Sequence, residues 1–171
     1  MNDLKNKLKL YIENNLIKEE QRKKILIDRD FCYSSSTFNF EESRNHDIEE
    51  FINKHEEYND FQTMLFKLID SKDLKDSDVY NKVNIDRRLF SKIRSDKNYH
   101  PSKETVILLA IALELNEKEL DNLLESASYS LPKNNKFDLI IRFCFINKIF
   151  KLTDINELLY EYNCKLLSYW K

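Results

Sequence analysis

The chain has 171 residues, with 28 Lys and Arg against 30 Asp and Glu, and it contains no glycine. Without glycine the left-handed backbone of tight hairpins, phosphate loops and nucleophile elbows has no ready supplier, which sets aside hairpin-rich β folds, nucleotide-hydrolysing folds and Rossmann enzymes. A hydrophobic fraction of 42%, a charged fraction of 34% and only two prolines fit instead a folded all-α protein whose turns are made by Asn, Asp and Ser.

The N-terminal stretch 1–58 reads as a helical segment. Leu4, Leu8, Tyr11, Ile12 and Leu16 recur three or four apart, marking an amphipathic helix with a lysine-rich outer face that ends near Asn14 and Asn15. A second short helix is expected from Glu19, and a polar stretch with a serine run marks a loop near 28–38. Asn39 with Glu42 resembles an N-cap and its reciprocal acid, opening an acidic helix over 41–57. A solvated exterior is the commoner meaning of such a charged helix.

From residue 59 to 131 the pattern sharpens into five short helices. Phe61, Met64, Leu65, Leu68 and Ile69 form one stripe, and Val79, Tyr80 and Val83 a second. Asn84 falls where a residue tolerant of left-handed φ and ψ is wanted, and Asp86 is placed to cap a third helix carrying Leu89, Phe90 and Ile93 inward. Pro101 and Ser102 start a fourth helix through Leu115, apolar nearly all round and so expected at the centre of the core. Asn116 and Glu119 cap a fifth. Beyond Pro132, residues 132–171 form a helical extension, with a run from Leu139 to Ile149 and a last helix that Thr153 is expected to cap. Its apolar load is expected to pack on the core or to dimerise the chain.

The spacing of Asn84, Ile85, Asp86, Phe90, Ser91 and Ile93, followed by Pro101, Glu104, Thr105, Leu109, Ala110, Ala112 and Leu113, resembles the Cro/Xre helix-turn-helix family. The resemblance implies a five-helix core with additional N- and C-terminal helices. A narrower resemblance, over about 61–145, is to the helical C-terminal domain of some bacterial macro-domain proteins; no macro domain is present here, so ADP-ribose chemistry is not implied. Three positions depart from the family pattern: Asp76 stands where Gln usually meets a phosphate, Tyr80 where a small Ala is usual, and Asn84 where the turn Gly is usual.

Between Lys82 and Lys103 seven cations, Lys82, Arg87, Arg88, Lys92, Arg94, Lys97 and Lys103, face only Asp86 and Asp96, in a chain of net charge −2. Docked as in the resembled family, the third helix enters the major groove of double-stranded DNA. Arg87, Arg88, Ser91 and Lys92 then lie near bases, Lys97 and His100 near phosphates, and Arg94 completes the DNA-binding set. The implied role is a bacterial or phage transcriptional regulator acting as a cytoplasmic homodimer. A second reading takes the same surface as a protein-interaction adaptor, or as an inhibitor of a nucleic-acid enzyme.

The sequence carries no recognisable catalytic or metal-ligand pattern. His46 and His55 are nine residues apart, which matches neither an i, i+4 metal pair nor a known ligand spacing. Cys32, Cys144 and Cys164 are far apart and unpaired in pattern, so no zinc site, disulfide framework or cofactor is expected. No apolar run approaches the roughly 20 residues of a membrane span, and the N-terminus lacks the apolar core of a signal peptide. The chain is therefore expected to be no enzyme and to bind no membrane.

Overall fold

In the computed structural model, which describes residues 2–16 and 60–167, every regular element is an α-helix. The order is α1 (Asn2–Asn15), α2 (Phe61–Ser71), α3 (Asp76–Lys82), α4 (Arg87–Ser95), α5 (Lys103–Ala112), α6 (Glu117–Ser126), α7 (Lys136–Ile146) and α8 (Leu152–Glu161). The expected helix from Glu19, the loop near 28–38, the acidic helix over 41–57, and Cys32, His46 and His55 lie outside the described residues.

The way the helices end follows from the missing glycine. A helix stop of the Schellman type needs one left-handed residue just past the last turn, normally glycine. Here Asp73, Asn84, Glu114, Ser128, Lys148 and Asn163 take that place, with φ between 49° and 59°. The residue after each sends its N–H back five positions, as Leu74 to Ile69, Ile85 to Tyr80, Leu115 to Ala110, Tyr129 to Leu124, Ile149 to Cys144 and Cys164 to Leu159. Six helices thus close with both Schellman hydrogen bonds on non-glycine residues, and the following side chain turns back onto the core. α4 ends differently: Asp96 stays extended and its carboxylate accepts from the Asn98 N–H, 3.0 Å away.

Helix starts are mostly read from single side chains. Asp60, Asp86, Ser102, Asn116 and Asn135 each accept a backbone N–H of the first turn, and Glu119 returns the favour to the Asn116 N–H. α8 corrects an expectation: its N-cap is Lys151, and Thr153 lies inside the first turn with its hydroxyl on Asp154, 3.1 Å away. The extended backbone at Lys151 starts the helix two residues earlier, and half-buried Leu152 packs against the core.

α5 is the axis of the fold. From Thr105 to Ala112 every residue is buried, because α5 is enclosed by its neighbours and has no solvent face to leave polar. α3 and α6 pack on it directly, α2 and α7 pack on α6, and α8 on α7. Burying each such Leu or Ile is worth about 1.5–3 kcal/mol relative to exposure. α1 lies on α7 through Leu8, Ile12 and the Tyr11–Phe143 ring pair, and Lys5 reaches Glu157 and Glu161 of α8 at 3.1 and 3.3 Å. Both described stretches therefore share one compact unit, with the apolar load of α7 inside it.

Candidate nucleic-acid interface

α3 and α4 are short helices joined by residues 83–86, and the join is fixed locally. Val83 and Ile85 are buried, while Asn84 between them is exposed in the left-handed region at φ 54°. A two-carbon amide side chain tolerates that conformation better than most, which is why the turn forms without glycine. Asp86 then stops the extended segment and caps α4, its carboxylate 2.6 Å from the Arg88 N–H.

The seat of α4 is aromatic. Phe90 and Ile93 are buried, and Phe90 meets Tyr80 of α3 at 5.6 Å and Phe66 of α2 at 6.2 Å between ring centroids. Tyr80, larger than the small residue of the resembled pattern, is thus part of the contact that sets α4 against α3. Gln62 of α2 donates its side-chain amide to the carbonyls of Ile93 and Arg94, tying down the last turn of α4.

All seven residues expected to bind DNA are exposed: Arg87, Arg88, Ser91, Lys92, Arg94, Lys97 and His100. At 100° per residue the exposed arc of α4 carries Arg87 and Arg94 along one edge, Arg88 and Lys92 along the other, and Ser91 and Ser95 between them. The two serines leave a low floor between rows of longer cations. Lys97 and His100 stand beyond the helix, in the segment leading to α5.

The cations are not equivalent. Lys82 pairs with Glu114, Lys103 with buried Asp138 at 2.6 Å, and Arg94 with Asp76 at 2.6 Å. Lys92 sits 4.9 Å over the ring of Tyr99. Arg87 and Arg88 carry no ion pair among the described residues. The two nearby acids are also engaged, since Asp86 and Asp96 accept backbone N–H groups. Asp60 faces the same region. The Thr63 N–H holds its carboxyl below the usual range, with a small contribution from Lys97.

His100 and Tyr129 form an edge-on ring pair 5.3 Å apart, and the Tyr129 hydroxyl donates to the Pro101 carbonyl at 3.0 Å. Rings and cations are therefore interleaved from Lys92 through Tyr99 to His100. On the opposite edge, a cleft of about 670 Å³ opens between α2, α3 and α4, lined among others by Asp70, Asp76, Tyr80, Arg87 and Arg94.

Gln62, Phe66 and Tyr99 were not singled out in the sequence. Each acts across the fold on α4 or on the segment after it, and no local spacing marks such contacts. Among the described residues no group of three His, Cys, Asp or Glu side chains could hold a metal ion, and no helix is long and apolar enough to cross a membrane. Burial in α7 pushes the Cys144 thiol up to about 12, which leaves it a protonated core side chain rather than a nucleophile.

No protein-family profile, curated protein or solved structure matches the chain.

Proposed function

We propose that this chain is a sequence-directed DNA-binding protein of the helix-turn-helix kind, a transcriptional regulator working as a homodimer, with α4 as the helix that enters the major groove. The observation that carries the reading is the placement of Arg87 and Arg88. They occupy the first two positions of α4, where the helix dipole disfavours a cation, and among the described residues neither forms an ion pair with a carboxylate. A polyanionic partner accounts for both. Arg88 and Lys92 along one edge and Arg87 along the other suit base edges over the serine floor, and Lys97 and His100 suit flanking phosphates.

The test is fluorescence anisotropy of the wild-type chain on duplex DNA fragments over a salt series. The affinity is expected to fall linearly in log–log form, with a slope near −0.9 for each phosphate neutralised. Absence of salt-sensitive binding at low ionic strength would remove the reading. In its place would stand a protein-interaction adaptor or an inhibitor of a nucleic-acid enzyme. The mixed charge of the cleft between α2, α3 and α4, with Asp70 and Asp76 facing Arg87 and Arg94, favours that second reading.

A further inference from the structure

The strongest feature not absorbed by this reading is the way Arg94 is held. Its guanidinium lies 4.1 Å over the ring of Phe66, and one of its nitrogens donates to Asp76 Oδ1 at 2.6 Å. Gln62 takes up its backbone carbonyl. A cation that is stacked, paired and anchored in this way is withdrawn from any partner approaching α4. The carboxylate that withdraws it sits at the start of α3, beside the edge that α4 presents.

Asp76 gains from its own position too, since an acid in the first turn of a helix is favoured by the dipole. The pair is open to water, with Arg94 about half exposed and Asp76 about one-third exposed. Such pairs contribute little to stability, typically less than about 1 kcal/mol. Their effect on the field at the surface is larger: one cation is cancelled, and the anion partner keeps phosphates away from the α3 edge.

Resting on the DNA-binding reading, we infer that Asp76 is a specificity-determining residue that holds Arg94 off the phosphate backbone and so suppresses sequence-independent binding. The interface is thereby confined to Arg87, Arg88, Ser91 and Lys92, with the Lys97 and His100 flank. Specificity is a difference of affinities, and an element that repels the wrong mode serves it as well as one that attracts the right mode. Phosphate contacts supply nearly all non-specific affinity, so removing one contact lowers the non-specific mode most.

The experiment measures binding of mixed-sequence duplex DNA, and elution from heparin, for the wild-type chain, Asp76→Asn and the double variant Asp76→Asn/Arg94→Ala. Asp76→Asn keeps the shape of the side chain but frees Arg94. It should tighten mixed-sequence binding about three- to tenfold at about 0.1 M salt and steepen the log–log salt slope by about 0.9, one further phosphate contact. The double variant should lose that gain. Asp76→Glu, which keeps the charge, should bind as the wild type does, and Asp76→Ser provides a second release of Arg94 should the Asn variant fold poorly. Wild-type binding with no gain in either releasing variant overturns the inference and leaves the DNA-binding reading standing. Absence of binding by the wild type and by both releasing variants overturns the two together.

Discussion

Arg142 on α7 and Arg88 on α4 are the same side chain in opposite settings. Arg142 is 15% exposed and grips Asp121 of α6 with both guanidinium nitrogens, at 2.8 and 3.1 Å, while one of them also meets Glu117 at 2.8 Å. Those hydrogen bonds, Asp121 foremost, raise its affinity for its proton despite partial burial. Arg88 is exposed at the unfavourable end of its helix, and its guanidinium has no ion-pair partner among the described residues. A residue whose charge is satisfied by the fold is explained by the fold. One left unsatisfied at a position the fold penalises points outward, and the contrast between α7 and α4 separates structural cations from those available to a ligand.

The largest effect expected from this contrast is on stability at α7. Arg142→Ala removes a bidentate contact and a packed stem, and should lower unfolding free energy by about 1–3 kcal/mol in a denaturant titration. Arg142→Met, which restores the stem, should recover part of it. A loss no larger than that of an exposed substitution would mean that the seam between α6 and α7 does not depend on its arginine.

The ends of α3 and α7 sharpen the contrast in the opposite direction. Lys148 and Asn84 hold equivalent left-handed positions, with φ of 55° and 54°. A β-carbon there costs about 1–2 kcal/mol, less for Asn, and a glycine loses part of that relief through its freer unfolded state. Lys148→Gly should therefore stabilise the chain by about 0.5–1 kcal/mol, read as a higher denaturation midpoint at constant slope, and Asn84→Gly should be close to neutral. Equal gains at both sites would show that Asn84 is as strained as a lysine.

The change expected in the stability of Arg88→Ala is as small as that of Asn84→Gly, within about 0.5 kcal/mol of wild type by the same titration. A greater loss would place Arg88 with Arg142 among the structural cations.

What was legible in the sequence was local. The left-handed Asn84, the caps at Asp86, Ser102 and Asn116 with Glu119, and the burial of α5 from Thr105 onward each depend on a few neighbouring residues, so spacing alone carried them. α5 nevertheless stops at Ala112 and not at the expected Leu115, because Glu114 turns left-handed. The left-handed ends at Glu114 and Lys148 were harder to see, because neither residue type is a turn-former of the first rank. Their signal was a polar residue just before an apolar one that folds back on the core, such as Lys148 before Ile149. The start of α8 was misplaced for a related reason: Thr153 is a good capping type, but the backbone at Lys151 had already turned.

At the candidate interface, the identity of the exposed residues was readable and their engagement was not. Asp76 and Arg94 are eighteen residues apart, and Phe66 lies on a third helix. Whether a basic residue is free or spent depends on how α2, α3 and α4 are set against one another, which Phe90 and Tyr80 decide through packing. Counting seven cations against two acids therefore overstated the charge that α4 and its flanks present.

The most direct test of α4 as the reading helix is the binding of Arg88→Ala to a duplex selected by the wild-type chain, measured beside its folding stability. Arginine at such a position can donate two parallel hydrogen bonds to one guanine, worth about 1–3 kcal/mol of discrimination. The expected result is a variant as stable as the wild type whose specific binding is weaker by about tenfold or more. Unchanged affinity in a well-folded Arg88→Ala chain would contradict a groove-docked α4.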